Sequence, residues 1–440
     1  MRRWQQRQTL PTLPSINHQS PMPAQFARHP LAAPSGDAIP KRALTFFTAA
    51  AILISCFVTS AAPIPLMSVW TETLGLDNGA IAMTVVWYFA GCILTLVFFA
   101  RLSNFLGRRP VVWITLAWAA LACWLLADCQ SVAALNTARF FQGLACGLAS
   151  SAAMAWVVDT APPKRPWLGT ALTAAGPNIG LSLGTLLAGL LPQLGLLSVE
   201  GLFHAYMALL AAAAVLCALS TETMAFATES LAAVLIPKVA MPKRLMRLFF
   251  IAACGFVGTW GLGSFFQGFS ARLAGMVFEG SGTLLAGLVY LCLIIPNATM
   301  GLCIGRFNPT KVLPAIITLF FAAVVCAFGA LHFGHPMLFL AAVALTGAMS
   351  GATCSSGLKM LLLDATLKER AGVIAALYLT AYIGSGVPNF VVGRLAQNAS
   401  MDAISIGYIA WAAAAALGVT SVLALLKRRP SEAERLRLNA

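Results

Sequence analysis

Charged residues are scarce in this chain, and acidic ones are the scarcest. Only 10% of the 440 residues are charged, with 14 Asp and Glu against 28 Lys and Arg, whereas an ordinary soluble domain is roughly 25% charged. Hydrophobic residues make up 59% of the chain. Because a water-soluble fold cannot bury that much apolar surface, we predict an integral membrane protein.

The sequence also lacks the motifs of common enzyme and metal sites. It contains no HExxH and no phosphate-binding loop, and no carboxylate pair lies inside an apolar run. Its 11 cysteines form no CxxC pair and lie mostly within apolar runs, where thiols behave as small hydrophobic side chains. We therefore expect no enzymatic activity, no metal site and no cofactor.

The net charge of +14 does not indicate a nucleic-acid partner. Proteins that bind phosphate backbones cluster Lys and Arg on one surface, often beside aromatic residues. Here the basic residues lie in short polar gaps between long apolar runs. We interpret them as topology signals and expect no binding of nucleic acid.

Twelve apolar runs are long enough to cross a hydrocarbon layer of roughly 30 Å as helices. Six occupy the first half of the chain, and six more follow a polar and basic stretch. They lie near residues 44–70, 80–100, 111–128, 132–158, 168–191, 202–220, 247–271, 283–304, 312–332, 336–362, 372–393 and 403–426. We predict an all-α membrane protein of 12 transmembrane helices in two pseudo-symmetric six-helix bundles.

The bundles are predicted to span residues 44–220 and 247–428, with a central cytoplasmic loop at 221–246. Residues 1–43 are polar and proline-rich, and such a segment cannot bury enough apolar surface to order itself. We therefore predict a disordered cytoplasmic tail there. Residues 429–440 are predicted to form a basic cytoplasmic tail.

Lys and Arg also predict the orientation, because basic residues near the ends of spans remain on the cytoplasmic side. Most of the 28 basic residues lie in the two tails, the central loop and alternate short loops. The exceptions are Arg139, Arg272, Lys359 and Arg394. The opposite loops carry acids, among them Glu72, Asp77, Asp128, Glu200 and Asp402. We predict a multi-pass protein of the bacterial inner membrane with both termini in the cytoplasm.

The two halves share a short internal repeat. Asp364 and Arg370 follow Asp159 and Arg165 at the same offset of 205 residues, and each pair closes an even-numbered span and opens a short loop. Hydropathy alone could produce two six-span bundles, but here an acid, a base and their spacing recur together. Repeats of this kind place a substrate cavity between the halves, near the middle of the membrane.

The loop after the second predicted span resembles the signature loop of the major facilitator superfamily. It reads A-R-L-S-N-F-L-G-R-R-P over residues 100–110, against the family pattern G-x-L-A-D-R-x-G-R-R. Leu102, Gly107, Arg108 and Arg109 match this pattern. Asn104 stands where the family has aspartate, Phe105 replaces the first arginine, and Ala100 replaces the first glycine.

In that family the loop is a cytoplasmic latch, whose charges pair with neighbouring helix ends in one state of alternating access. Asn104 can cap a helix or accept hydrogen bonds but has no charge, so the latch is weakened or uses the carboxylate of Asp159. Arg108 and Arg109 can also act as positive-inside anchors. The residues to which the resemblance assigns latch roles are Asn104, Gly107, Arg108, Arg109, Asp159, Arg165, Asp364 and Arg370.

The fourth span contains an arginine within an apolar environment. Its Arg139-x-x-Gln142-Gly143 looks like the family's second motif, R-x-x-Q-G-x-G, with the second glycine displaced to Gly147. A guanidinium in hydrocarbon is costly unless it faces a partner or a wet cavity, so we expect Arg139 to be functional. The alternative is that it snorkels to the outer interface.

The fifth span carries a proline and regularly spaced glycines. Gly176-Pro177-x-x-Gly180, followed by Gly184, resembles the G-P-x-x-G motif that the superfamily's exporters and antiporters share. Proline removes a backbone donor and bends the helix, while glycines four residues apart allow a neighbouring helix to approach closely. The resemblance implies efflux.

The family layout would place spans 1, 4, 7 and 10 around the substrate cavity. Lys359 could bind an anionic group there, or it could extend to the cytoplasmic surface. The residues predicted to line the cavity are Ser55, Thr59, Arg139, Gln142, Trp260, Gln267, Ser356 and Lys359.

These features predict a secondary transporter that exports a drug-like compound or a metabolite by alternating access. We expect a monomer in the lipid bilayer with a small-molecule substrate. Protons are a candidate coupling ion, although no acid lies in the middle of a span. An importer of the same fold is one alternative, and a non-transporting membrane sensor or scaffold is another.

Overall fold

A computed structural model describes residues 38–224, 241–278, 282–395 and 399–427. Every regular element in these ranges is helical, and twelve helices in them are long and apolar enough to cross a membrane. The predicted twelve-span all-α class is confirmed. Much of the predicted N-terminal tail, most of the central loop and the whole C-terminal tail lie outside the described residues.

We number the membrane-length helices in chain order. They are α1 (Lys41–Leu74), α2 (Asn78–Phe105), α3 (Arg108–Ala127), α4 (Val132–Thr160), α5 (Trp167–Gln193), α6 (Val199–Leu219), α7 (Lys243–Val277), α8 (Thr283–Arg306), α9 (Pro309–His332), α10 (Pro336–Asp364), α11 (Gly372–Arg394) and α12 (Met401–Leu425).

The first helix begins at Ala38, ahead of the predicted boundary at residue 44. Arg42 explains the extra turn, because its guanidinium donates to the Asp159 carbonyl oxygen (3.1 Å) and the Ala161 carbonyl oxygen (3.3 Å) at the end of α4. These bonds satisfy main-chain acceptors that a helix end leaves without an intrahelical partner. The start of α1 is thereby tied to α4 rather than belonging to a disordered tail.

The helices form two bundles with matching internal contacts. In the first, α4 packs against α2 and α3, and α3 packs against α6; in the second, α10 packs against α8 and α9, and α9 packs against α12. The bundles meet where α2 packs along α11, α5 along α8, and α1 along α7. This is the arrangement predicted from two duplicated six-helix halves.

Glycines at equivalent positions hold the same helix pair together in each half. Gly143 of α4 lies directly against the Tyr88 carbonyl oxygen of α2, and a Cβ there would overlap it. Gly347 of α10 lies against the Leu293 carbonyl oxygen of α8 in the same way. Gly143 and Gly347 are 204 residues apart, within one residue of the repeat offset of 205, which gives the sequence duplication a counterpart in helix packing.

Most basic loops lie at one end of the bundles, which we call the basic end, and the far end is the opposite one. The two halves are in close contact at the far end. There the Asn78 amide donates to the Ala399 carbonyl oxygen (3.1 Å), and the Thr283 hydroxyl donates to the Gly189 carbonyl oxygen (2.8 Å). Gly393 of α11 also packs against Met83 of α2. The far end of the interface is therefore closed.

Candidate functional site

Arg139 is buried between α4, α1 and α2, with 2% of its surface exposed. Its Nη1 donates to the Ser60 carbonyl oxygen (2.9 Å) and to Gln142 Oε1 (2.7 Å), and its Cζ lies 4.6 Å from the centroid of the Tyr88 ring. Gln142 in turn donates to the Thr59 carbonyl oxygen (2.9 Å). Among the described residues these partners include no carboxylate, so dipoles and an aromatic face stabilise the charge.

The acceptors in α1 exist because two prolines interrupt that helix. α1 turns at Ala62, and Pro63 and Pro65 follow. Pro63 has no N–H with which to bond the Thr59 carbonyl, which would otherwise be its helical partner. In a membrane such a freed acceptor must be satisfied by another part of the protein, and Gln142 supplies that bond. The Pro-x-Pro pattern in α1 was the sequence signal for this site.

Main-chain carbonyl oxygens of α1 therefore accept the hydrogen bonds of Arg139 and Gln142, whereas the sequence predicted that the side chains of Ser55 and Thr59 would line the site. The Thr59 hydroxyl donates within its own helix, to the Cys56 carbonyl oxygen (3.0 Å), and Ser55 is buried. Arg139 lies about 10 Å along α4 from its first residue, beneath Tyr88, and does not extend to the helix end as the snorkelling alternative required. Its Nε atom has no hydrogen-bonding partner among the described residues.

An aromatic cluster continues from Tyr88 across the interface between the halves. Phe89 of α2 contacts Tyr382 of α11, with ring centroids 6.0 Å apart. Tyr382 packs edge-on against Trp260 of α7 (5.4 Å), which also contacts Tyr378 (5.6 Å). Phe89, Trp260 and Tyr382 each lie near the middle of their helix. We call Phe89, Trp260, Tyr378 and Tyr382 the aromatic cluster.

Of the other predicted cavity residues, one belongs to the aromatic cluster and the rest lie elsewhere. Trp260 is half-buried at its centre, while Gln267 and Ser356 are buried within α7 and α10. Sequence reasoning missed Phe89, Tyr378 and Tyr382, since aromatic residues occur in most of the spans and only their shared depth distinguishes these three.

Lys359 lies outside this group, near the end of α10. Its ammonium donates to the carbonyl oxygens of Gly305 (2.8 Å) and Phe307 (3.0 Å), where α8 ends. Of the two predicted roles, this position matches a side chain that extends to the surface. It does not place Lys359 beside Arg139 or the aromatic cluster.

The predicted latch residues of the first half do come together. Arg108 Nε lies 3.0 Å from Asp159 Oδ2 at the end of α4, and Arg108 Nη1 donates to Ser103 Oγ (2.7 Å) and Asn104 Oδ1 (2.8 Å). Gly107 has φ +96°, a backbone conformation that favours glycine. Asp159 therefore supplies the charge that Asn104 lacks.

Glu222, which sequence reasoning missed, binds the start of α3. Its carboxylate accepts from the backbone N–H groups of Arg108 (2.8 Å) and Arg109 (2.8 Å), two of the donors that a helix N-terminus leaves free. Partial burial raises the pKa of Glu222, but these two N–H groups and those of Thr223 and Met224 outweigh it, so its pKa is lowered. The sequence signal for this role was an acidic residue at the start of a basic segment.

The remaining latch candidates differ between the halves. Arg165 is exposed, while Arg370 Nη2 donates over 3.4 Å to the Leu362 carbonyl oxygen. The Asp364 carbonyl oxygen accepts from Arg244 (2.6 Å), whose guanidinium also pairs with Glu369. Arg244 thus binds the end of α10 as Arg42 binds the end of α4, although neither arginine was predicted to do so.

The glycine motif of α5 packs against α1. A Cβ at Gly180 would lie 2.6 Å from the Ile54 carbonyl oxygen, and Gly184 lies directly against the Val58 carbonyl oxygen. Gly176 faces Leu53, and a Cβ there would lie 3.0 Å from that side chain. Pro177 is inside the same helix. The motif therefore sets how closely α5 approaches the helix that carries the Arg139 acceptors.

Within the twelve membrane-length helices, Asp and Glu lie only in the terminal turns. Among the described residues, no group of His, Cys, Asp and Glu is arranged to hold a metal ion. A buried guanidinium beside a row of aromatic rings can bind and orient a small molecule between the halves.

Comparison with known proteins identifies the family. Residues 47–387 match the model of the Major Facilitator Superfamily, and no curated protein matches the chain. The nucleoside transporter NupG has a similar structure, with a TM-score of 0.67 at 13% identity over 86% of this chain and 99% of that one. A bacterial homologue of the human lysosomal transporter Spinster, in an inward-facing and unoccupied conformation, gives 0.62 at 16% identity, over 87% and 93%. These likenesses show the fold, and the family match covers most of the chain. The chain therefore belongs to the major facilitator superfamily of membrane transporters.

Proposed function

We propose that this transporter exports a small amphipathic molecule, a drug-like compound or a metabolite, from the cytoplasm across the bacterial inner membrane. The observation that carries this proposal is the aromatic cluster, which joins α2 of one half to α7 and α11 of the other. A substrate bound there contacts both halves at once. Its binding and release can therefore be coupled to their relative movement by alternating access.

The composition of the site supports an organic substrate with an apolar, preferably aromatic body. Trp260, Tyr378 and Tyr382 are half-buried and present ring faces and edges rather than charges. Such rings bind flat apolar groups by stacking, with a contribution of about 0.5–1.5 kcal/mol per aromatic pair. A strongly hydrated sugar or an inorganic ion would gain little from this surface.

Two observations favour export over import. The α5 motif of Gly176, Pro177, Gly180 and Gly184, which resembles that of exporters and antiporters, fixes the packing of α5 on α1. The halves also meet closely at the far end, which agrees with loading from the basic end, the side that the Lys and Arg distribution assigns to the cytoplasm. Protons are the coupling ion in this proposal, with the protein acting as a monomer.

The test is transport by the full-length protein in everted membrane vesicles. We expect energised vesicles to accumulate at least one dye from a panel of cationic, neutral and anionic fluorescent compounds, and an uncoupler to abolish that accumulation. Trp260→Ala should reduce it roughly two- to tenfold, because the loss of a stacking contact of about 0.5–1.5 kcal/mol corresponds to roughly 2- to 13-fold weaker binding. Trp124→Ala, which alters a tryptophan of α3 that is 63% exposed, is the matched control.

Import is the second candidate, since one structural relative is a nucleoside transporter. It predicts that right-side-out vesicles accumulate substrate while everted ones do not. Radiolabelled nucleosides should be included in the panel for this reason. Accumulation in right-side-out vesicles alone would overturn export and leave the proposed binding site unchanged.

A further inference from the structure

A groove at the basic end lies beside α10, away from the aromatic cluster. We call it the basic groove and define it by Ser355, Leu358, Lys359, Leu362, Leu363 and Arg370. It combines two cationic side chains and a hydroxyl with three leucines. An adjoining crevice that shares Lys359 and Leu363 is lined by the turn between α8 and α9, including Arg306.

Lys359 is held in a fixed position within this groove. Its ammonium donates to the carbonyl oxygens of Gly305 (2.8 Å) and Phe307 (3.0 Å), and an ammonium has a third donor. Two neutral acceptors leave its positive charge uncompensated. Arg370 lies on the same groove, and its single described bond is a long one to the Leu362 carbonyl oxygen (3.4 Å).

The acids nearby do not neutralise this charge. Glu369 is occupied, since its carboxylate accepts from the Thr366 hydroxyl (2.7 Å) and pairs with Arg244. Asp364 is exposed and lines the adjoining crevice. Among the described residues, the three cations Arg306, Lys359 and Arg370 outnumber the one carboxylate, that of Asp364, that lines the crevice.

The apolar residues indicate which anion would bind. Leu363 is 66% exposed beside Lys359, and Phe307, next to it across the crevice, is 56% exposed. Leu363 lies in the last turn of α10 and Phe307 directly follows α8, the depth at which lipid headgroups meet acyl chains. A free phosphate would use the cations and gain nothing from the exposed apolar side chains.

We propose that the basic groove binds the phosphate of an anionic phospholipid, with Lys359 and Arg370 on the headgroup and Leu358 and Leu363 against an acyl chain. Basic pockets between helices at the cytoplasmic side are suited to such headgroups. This site is separate from the proposed substrate site, and its existence does not depend on the direction of transport.

Lipid binding to the purified full-length protein tests the proposal. Native mass spectrometry would count phosphatidylglycerol molecules retained after titration from mixed micelles, with phosphatidylcholine, which is zwitterionic and has no net charge, as the comparison. Each cation near the membrane contributes about fivefold in affinity, so Lys359→Gln/Arg370→Gln should weaken phosphatidylglycerol retention roughly 25-fold and leave phosphatidylcholine unchanged. Lys311→Gln, an exposed lysine of the same end that does not line the groove, should have no effect.

Further variants separate lipid binding from a change in the turn after α8. Lys359→Arg keeps the charge and should retain the lipid, whereas Leu363→Asn should weaken phosphatidylglycerol binding without removing a charge. The proposal is overturned if the double variant binds phosphatidylglycerol as the wild type does, or if Lys359→Arg loses it as fully as Lys359→Gln. Displacement of the lipid by equimolar inorganic phosphate would also overturn it, because the groove would then be a site for soluble anions.

Discussion

Arg108 and Asp159 join the loop after α2 to the end of α4, with Nε and Oδ2 3.0 Å apart. The same guanidinium bonds Asn104, the position at which the family's signature loop carries its aspartate. The negative charge that pairs with Arg108 therefore lies on a neighbouring helix rather than in the loop.

The latch predicts a rescue between two positions. A latch pair that forms only in the arrangement with a closed far end predicts that Asp159→Asn shifts the equilibrium away from that arrangement by about fivefold, since a half-buried ion pair contributes about 1 kcal/mol. Asn104→Asp in that background should restore it, because the new carboxylate lies where Arg108 Nη1 already finds an acceptor. Accessibility of single cysteines introduced at each end measures the equilibrium. Unchanged accessibility in both variants would mean that the pair persists in every state.

Arg139→Ala should abolish transport while the protein still inserts into the membrane. The substitution leaves the Ser60 carbonyl oxygen and Gln142 Oε1 without the donor that Arg139 supplies, which costs about 1–3 kcal/mol for each such group. Thermal unfolding in detergent should detect that loss, and dye accumulation in everted vesicles should detect the loss of transport. Arg139→Lys keeps the charge but loses the planar guanidinium, so it should recover stability only in part. Full transport by the alanine variant would reduce Arg139 to a packing residue.

A methyl group added between α5 and α1 should destabilise the protein. Gly184→Ala places a Cβ against the main chain at Val58, and overpacking of this kind costs about 1–3 kcal/mol. Gly329→Ala is the matched control, since no atom lies within 4 Å of the Cβ position in that glycine of α9. The comparison is between the two melting temperatures. Equal values would show that α5 can move away from α1 at no cost.

Glu222 should make the start of α3 sensitive to acid. Its folded-state pKa is lowered, so its contribution is complete above the ordinary glutamate pKa of about 4.3 and is lost as the pH falls through the lower folded value. The protection factors of amides in the first turn of α3, which are corrected for the intrinsic pH dependence of exchange, should therefore be unchanged between neutral pH and about 5 and decrease below that range. Glu222→Gln removes the charge and should show fast exchange already at neutral pH. A pH-independent first turn in the wild type would contradict this role.

The overall architecture could be predicted because the membrane imposes simple requirements. Apolar runs of sufficient length identified all twelve helices, since a span in lipid must satisfy its own backbone. The pairing of Arg108 with Asp159 was one of two alternatives raised by a motif in which Asn104 replaces the aspartate. The sequence repeat that includes Asp159 and Asp364 is matched in the structure by a pair of glycines that make the same helix contact in each half. The duplication of one helix bundle explains both observations.

The candidate site was predicted less completely, because its contacts depend on which atoms a fold leaves unpaired. Arg139 and Gln142 were identified as residues, but their acceptors are main-chain oxygens that a broken helix exposes. Phe89 and Tyr382 come from different halves, and no local pattern shows that they meet. Lys359 was assigned to the cavity by helix number alone, whereas its distance from the end of α10 decides where its ammonium lies.

Arg42 and Arg244 stand at the start of the two bundles, and each is bonded to the last turn of the fourth helix of its own bundle. In each bundle, the first helix is therefore hydrogen-bonded to the end of the fourth helix at the basic end. A rigid-body rotation of one bundle against the other would leave both of these hydrogen bonds intact. The energetic barrier to such a rotation would then arise at the far end, where an amide and a hydroxyl group of one bundle each donate to a main-chain oxygen of the other.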